Sequence, residues 1–152
     1  MMTSIAPSLR GRRVFIAEDE TLIAFDIASC LEFEGYEVVG PFVDLAEALS
    51  ALDTSSIDVA LLDVNLRGAA VWPVAARLRA QGVPFAFLTG YASLDEFPSA
   101  FADVPRLDKP FVPEKLFAVL AALDNAGPVG PAEVKLFDSD LRAVQPVLAG
   151  AT

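Results

Sequence analysis

The sequence predicts an α/β domain built on a parallel sheet, and three observations carry that expectation. Five short apolar runs alternate with five segments of helical period, the pattern of parallel strands joined by right-handed crossovers. The clearest run, Val59-Ala60-Leu61-Leu62, is apolar without alternation, as a strand covered on both faces should be. Four of the runs lead into polar groups: Glu18 and Asp19 after the first, Asp63 after the third, Thr89 at the fourth and Lys109 after the fifth. In an open parallel sheet the carboxyl ends of the strands share one edge, and ligands bind there.

Residues 1–12, with Pro7 and Gly11, read as a loose arm. Arg13 to Ala17 is a short buried strand that ends in Glu18-Asp19-Glu20. From Thr21 the period becomes helical, with Ile23, Ile27 and Leu31 on one face and Gly35 as the stop. Glu37 to Val43 is a second strand, and Pro41 near its end suits an edge position. Asp44 is the expected N-cap of a helix over Leu45 to Leu52. The third strand, Ile57 to Asp63, is followed by a turn at Gly68. A third helix is expected from Val71 to Gln81, with Pro73 in its first turn and Gly82 ending it. Phe85 to Thr89 is the fourth strand. A fourth helix from Ser93 is expected to be short or irregular, because Pro98 falls inside it. Arg106-Leu107-Asp108 is the fifth strand, and a last helix opens at Pro113 with Leu116, Phe117, Leu120 and Leu123 as its apolar stripe. The domain is thus expected over 13–124. Residues 125–152 form a Gly/Pro linker and tail, in which Phe137, Leu141, Val144 and Leu148 share helical spacing and allow a docked helix.

Bulk properties narrow the function. The chain has 152 residues, enough for one domain with a sizeable core, and 54% of them are hydrophobic. No apolar run approaches the roughly 20 residues of a membrane helix. Eleven Lys and Arg face 21 acids, a net charge of −10, which argues against binding a phosphate backbone. Cys30 is the single cysteine, read as a small buried residue, and no secretory signal is evident, so a reducing cytoplasm is expected.

The strand-end residues point to chemistry. Glu18, Asp19 and Asp63 packed together repel unless a cation joins them, and oxygen ligands of this kind suit Mg²⁺. A carboxylate is a competent nucleophile for forming an acyl phosphate. Phosphoryl transfer then needs chiefly positioning and charge neutralisation, for which Thr89 offers a hydroxyl and Lys109 an ammonium. There is no histidine, no G-x-x-x-x-G-K-[ST] and no G-x-G-x-x-G. Each residue alone has an ordinary reading: Asp19 or Glu20 as a helix cap, Thr89 as a strand end, Lys109 as a solvated lysine. Their joint placement favours the functional one.

With these residues in view the sequence resembles the receiver domain of bacterial two-component response regulators. The matching residues are Glu18-Asp19, Asp63 within Leu-Leu-Asp-Val-Asn-Leu, Thr89 within Phe-Leu-Thr-Gly-Tyr, and Lys109 within Asp-Lys-Pro-Phe, over about 13–124. The resemblance implies a (βα)5 flavodoxin-like receiver fold, a five-stranded parallel sheet with helices on both faces. It implies Asp63 as phospho-acceptor, fed from a phosphohistidine on a sensor histidine kinase. It implies Mg²⁺ or Mn²⁺ held by Asp19, Asp63 and the main-chain carbonyl of Asn65, with Glu18 acting mostly through water. Thr89 and Lys109 would take the phosphoryl oxygens, and the Lys109–Pro110 peptide would be cis. Two departures stand out. The family usually carries Tyr or Phe as a switch three residues before the lysine, and Arg106 stands there, leaving Tyr91 as the nearest aromatic substitute. The segment around Thr89 resembles the Phe-Ala-Thr-Gly-Tyr signature of an alphaproteobacterial subset often paired with kinases of the HWE type, with Leu88 in place of Ala.

The resulting expectation is a stand-alone cytoplasmic regulator in a phosphorelay. It would signal through protein contacts, without nucleic acid or membrane, as a monomer or a homodimer, and would catalyse only its own phosphotransfer and dephosphorylation. Two rivals are retained. A phosphatase of the haloacid dehalogenase type also uses a strand-end Asp with Mg²⁺, but would have a second Asp where Asn65 stands. A pseudo-receiver would bind partners without phosphorylation.

Overall fold

The computed structural model describes residues 11–90 and 97–126. Five parallel strands form the main sheet: β1 (Arg13–Ala17), β2 (Glu37–Phe42), β3 (Val59–Asp63), β6 (Phe85–Thr89) and β7 (Arg106–Asp108), in the order β2-β1-β3-β6-β7. The helices are α1 (Thr21–Phe33), α2 (Leu45–Thr54), α3 (Trp72–Ala80) and α4 (Pro113–Ala126). Between β3 and α3 lies a hairpin of β4 (Asn65–Leu66) and β5 (Ala69–Ala70), which the sequence reading took for a plain turn. Of the expected fourth helix, the described part is a single 3-10 turn, Ser99–Phe101, which opens on the extended Pro98. That part agrees with the expected irregularity; its start at Ser93, with Tyr91, lies outside the described residues, as do the arm through residue 10 and the tail from residue 127.

The continuous apolar strands are explained by two cores. Successive strand residues point to opposite faces, so Phe15, Leu62 and Phe87 pack against α2, α3 and Phe101. Val14, Ile16, Leu61, Leu88 and Leu107 pack against α1 and α4 through Ile27, Leu31, Leu116, Leu120 and Leu123. β1, β3 and β6 lie inside the sheet with helices over both faces. Cys30, expected to be buried, is half-buried.

The predicted stops act through their backbone. At Gly35 (φ 98°) the amide of Tyr36 returns to the Leu31 carbonyl at 3.0 Å. At Gly82 (φ 75°) the amide of Val83 returns to Leu78 at 2.9 Å. Both close the last helical turn in the left-handed cap geometry that glycine permits. Asp44 caps α2 by accepting from the Glu47 amide at 2.8 Å. β2 is an edge strand, as Pro41 requires, and its pairing with β1 slips by one residue between Phe15–Val39 and Ala17–Phe42. Through that bulge the Phe42 carbonyl receives the Glu18 amide at 2.9 Å, anchoring the first acid of the site.

Candidate functional site

The register brings the strand ends level. Ala17 pairs with Leu62, so Glu18 follows beside Asp63, and Thr89 pairs with Asp108, so Lys109 follows beside Thr89. Glu18, Asp19 and Asp63 each offer a carboxylate oxygen within 4.8 Å of the others. Lys109 Nζ reaches across to Glu18 Oε1 at 3.0 Å, Asp63 Oδ2 at 3.3 Å and Glu20 Oε1 at 3.4 Å. The structure therefore gathers five of the predicted residues at one mouth: Glu18, Asp19, Asp63, Thr89 and Lys109. The Lys109–Pro110 peptide is cis, as is Gly40–Pro41.

Each acid is held differently. Glu18 is fully buried; its Oε2 accepts the Glu20 amide at 3.0 Å, while Oε1 has the lysine charge beside it but no aligned hydrogen bond. Glu20, weighed above as a cap, makes no side-chain cap of α1. Asp19 accepts the Arg67 amide at 2.9 Å. That amide sits in the β4–β5 turn, where Arg67 (φ 51°) and Gly68 (φ 89°) are both left-handed, as a two-residue hairpin of this type requires. Asn65 fixes the turn by accepting the Gly68 amide on Oδ1 at 2.8 Å. Asp63 is 8% exposed; its Oδ2 accepts from the Lys109 ammonium at 3.3 Å and its Oδ1 takes a long bond, 3.4 Å, from the Asn65 amide.

The charges do not balance. Three carboxylates face one ammonium, a deficit of two positive charges when all three are ionised. Burial, then the hydrogen bond and charge of Glu18, push Asp63 up to about 8, and Lys109 only partly opposes them. Burial would raise Asp19 too, but the Arg67 amide and the proton shared with Asp63 hold it below the usual carboxylate range. Burial would lower Lys109, yet the charges of Asp63 and Glu18 raise it. A divalent cation fits this set: hard oxygen donors, a matching charge deficit, and a buried Glu18 oxygen lacking a hydrogen bond.

Two contacts were not read from the sequence. The Thr89 hydroxyl donates to Asp108 Oδ1 at 2.7 Å. The Arg106 guanidinium lies 3.7 Å over the Phe97 ring. The signal available for both was the alternation on β7, where Arg106 and Asp108 are exposed around a buried Leu107; which neighbours they face depends on strand pairing and chain return.

A sheet of this order with an acid mouth able to hold a cation, a hydroxyl and a lysine at its carboxyl edge defines a doubly wound domain with its site at the β1/β3 switch point. The profile of the "Response regulator receiver domain" matches residues 14–121, and the chain belongs to that family. It is 36% identical over 137 residues to the transcriptional regulatory protein TcrA of Mycobacterium tuberculosis, covering 87% of this chain and 53% of TcrA. It thus spans about half the length of the curated relatives it matches. The solution structure of SdrG from Sphingomonas melonis Fr1 is 42% identical with a TM-score of 0.67, over 74% of this chain and 96% of that one. The receiver domain of the sensor histidine kinase PA1611 of Pseudomonas aeruginosa, solved with magnesium in its active-site cleft, shares the fold at 23% identity and a TM-score of 0.66, covering 76% of this chain and 98% of that one. The chain therefore carries a receiver domain of the two-component signalling type, and the family match favours that reading over the dehalogenase-type phosphatase. Among the described residues no helix is long and apolar enough to cross a membrane.

Proposed function

We propose that Asp63 accepts a phosphoryl group from a phosphohistidine of a sensor histidine kinase. The observation that carries this reading is the unbalanced acid mouth, with Asp63 at its centre and Lys109 Nζ 3.3 Å from its Oδ2. In the transfer an Asp63 carboxylate oxygen bonds to phosphorus, the phosphorus–nitrogen bond breaks, and the imidazole leaves with the electron pair. Glu18, Asp19, Asp63 and the Asn65 carbonyl would hold Mg²⁺ or Mn²⁺. A cation held there supplies the charge that keeps Asp63 ionised and offsets the phosphoryl oxygens. Lys109 orients Asp63 and then pairs with a phosphoryl oxygen, and Thr89 donates its hydroxyl to another. Beside the mouth, Leu22, Phe25 and Val112 are exposed apolar side chains on α1 and the loop after Lys109, a surface suited to a kinase helix. The likeness of Phe87-Leu88-Thr89-Gly90-Tyr91 to the Phe-Ala-Thr-Gly-Tyr signature supports an HWE-type kinase.

Acetyl phosphate with Mg²⁺, followed by intact-mass measurement, tests this directly. The wild-type chain is expected to gain one phosphoryl group, and Asp63→Asn none. Equal labelling of Asp63→Asn, or repeated phosphate release from a small phosphate ester, contradicts the reading. A chain that is never labelled is the pseudo-receiver.

A further inference from the structure

The Thr89 hydroxyl is a single proton donor already committed. It is 1% exposed and bonded to Asp108 at 2.7 Å. A hydroxyl has one proton to give, so a phosphoryl group on Asp63 can take it only by breaking that bond. The contest is direct, because β6 lies between the two acceptors: Asp63 ends the strand on one side and Asp108 the strand on the other. On β7, Arg106 lies two residues before Asp108 and so on the same face. Its guanidinium covers Phe97, whose ring packs 5.3 Å from Trp72 and 5.1 Å from Phe87.

We propose that Asp108 is a positioning residue that holds the Thr89 hydroxyl in the unphosphorylated domain, and that its release gives Arg106 a carboxylate in exchange for Phe97. This rests on the phospho-acceptor reading of Asp63. Both sides of the first exchange are charge-assisted hydrogen bonds from one hydroxyl. Both sides of the second are modest, an exposed cation on a ring and an exposed ion pair. Neither exchange is heavily biased, so a phosphoryl group can tip both. The arrangement gives Arg106 the reporting role without a rotating aromatic ring. The consequence is an uncovered Phe97 beside the edge strand.

Trp72 is the only tryptophan and touches Phe97, so its fluorescence reads the second exchange while beryllofluoride affinity with Mg²⁺ reads the first. In the full chain Asp108→Ala is expected to bind beryllofluoride about tenfold more tightly, 1.4 kcal/mol, and Asp108→Asn, which keeps a neutral acceptor, by less. Removing a nearby negative charge would help any anion bind. The decisive comparison is therefore Thr89→Val, in which Asp108→Ala should change affinity less than about twofold. Arg106→Gln is expected to keep the affinity and lose the Trp72 response. Equal tightening with and without the Thr89 hydroxyl, or none at all, overturns the proposal. Asp63→Asn separates the two readings: Asp63-dependent binding in the wild type with no Asp108 effect sinks this inference alone, and no Asp63-dependent binding sinks both.

Discussion

At the residue scale, Asp63 is a carboxyl group whose burial and neighbouring Glu18 oppose its ionisation. Its ordinary value is 3.8 and its folded value about 8, raised first by burial and then by Glu18. Between these values the folded chain retains a proton that the unfolded chain has lost. Stability from this group is therefore greatest at low pH and falls as pH rises from about 4 towards 8. Asp19, held low, acts in the opposite sense and only below its ordinary 3.8, while Lys109, raised, acts only above 10.5. The windows do not overlap. In metal-free buffer the urea midpoint is expected to fall between pH 5 and pH 8 by the equivalent of about 3–4 kcal/mol. Asp63→Asn should flatten this slope and be the more stable chain at pH 8. A wild-type slope identical to that of Asp63→Asn contradicts the burial account. The acids themselves were legible in the sequence, because a charged group after a doubly buried strand has few other places to be. Asp108 was not, since its meaning comes from facing Thr89 across β6 and β7.

At the element scale, local backbone devices aim the site. The bulge in β2 is one: Gly40 has φ 110°, and a Cβ there would lie 2.8 Å from the Ile16 carbonyl oxygen and 2.9 Å from the Phe42 ring. The first neighbour is backbone in a central strand and cannot give way. Gly40→Ala is expected to cost about 2–4 kcal/mol, as the strain of a left-handed alanine and the close contact combine, measured by thermal or urea unfolding. Because the Phe42 carbonyl anchors the Glu18 amide, the variant should also weaken Mg²⁺ binding. A loss below about 0.5 kcal/mol would mean that the bulge relaxes freely. Helix ends were legible because Gly35, Gly82 and Asp44 act on their own backbone. The β4–β5 hairpin was not: its turn is Arg67-Gly68 rather than Asn-Gly, and its strands are only two residues long. Beside the local Asn65–Gly68 bond, the Arg67 turn is held by a tertiary one, from its amide to Asp19.

At the scale of the whole molecule, a parallel sheet with right-handed crossovers followed from alternation, and the doubly covered strands from their lack of polar positions, whereas the order β2-β1-β3-β6-β7 is set by strand pairing that alternation does not fix. The net charge of −10 was equally plain, but its distribution was not. Outside the mouth, some of the acids are ion-paired, Arg12 with Asp124, Arg13 with Glu37 and Arg77 with Asp53. Inside it, three carboxylates share Lys109. Two electrostatic terms therefore act on folding, a diffuse repulsion that any salt screens and a local one that a bound divalent cation relieves. They separate experimentally. NaCl should raise stability gradually in the wild type and in Asp19→Asn alike. MgCl₂ at 10 mM should stabilise the wild type by roughly 1–3 kcal/mol beyond NaCl of equal ionic strength, the mass-action gain for a ligand well above its dissociation constant. Asp19→Asn should lose most of that excess, because its carboxylate is the one already held ionised, by the Arg67 amide. Equal responses to the two salts in the wild type would mean that the acid mouth binds no divalent cation, and that its charge deficit is met by protonation of Asp63 alone.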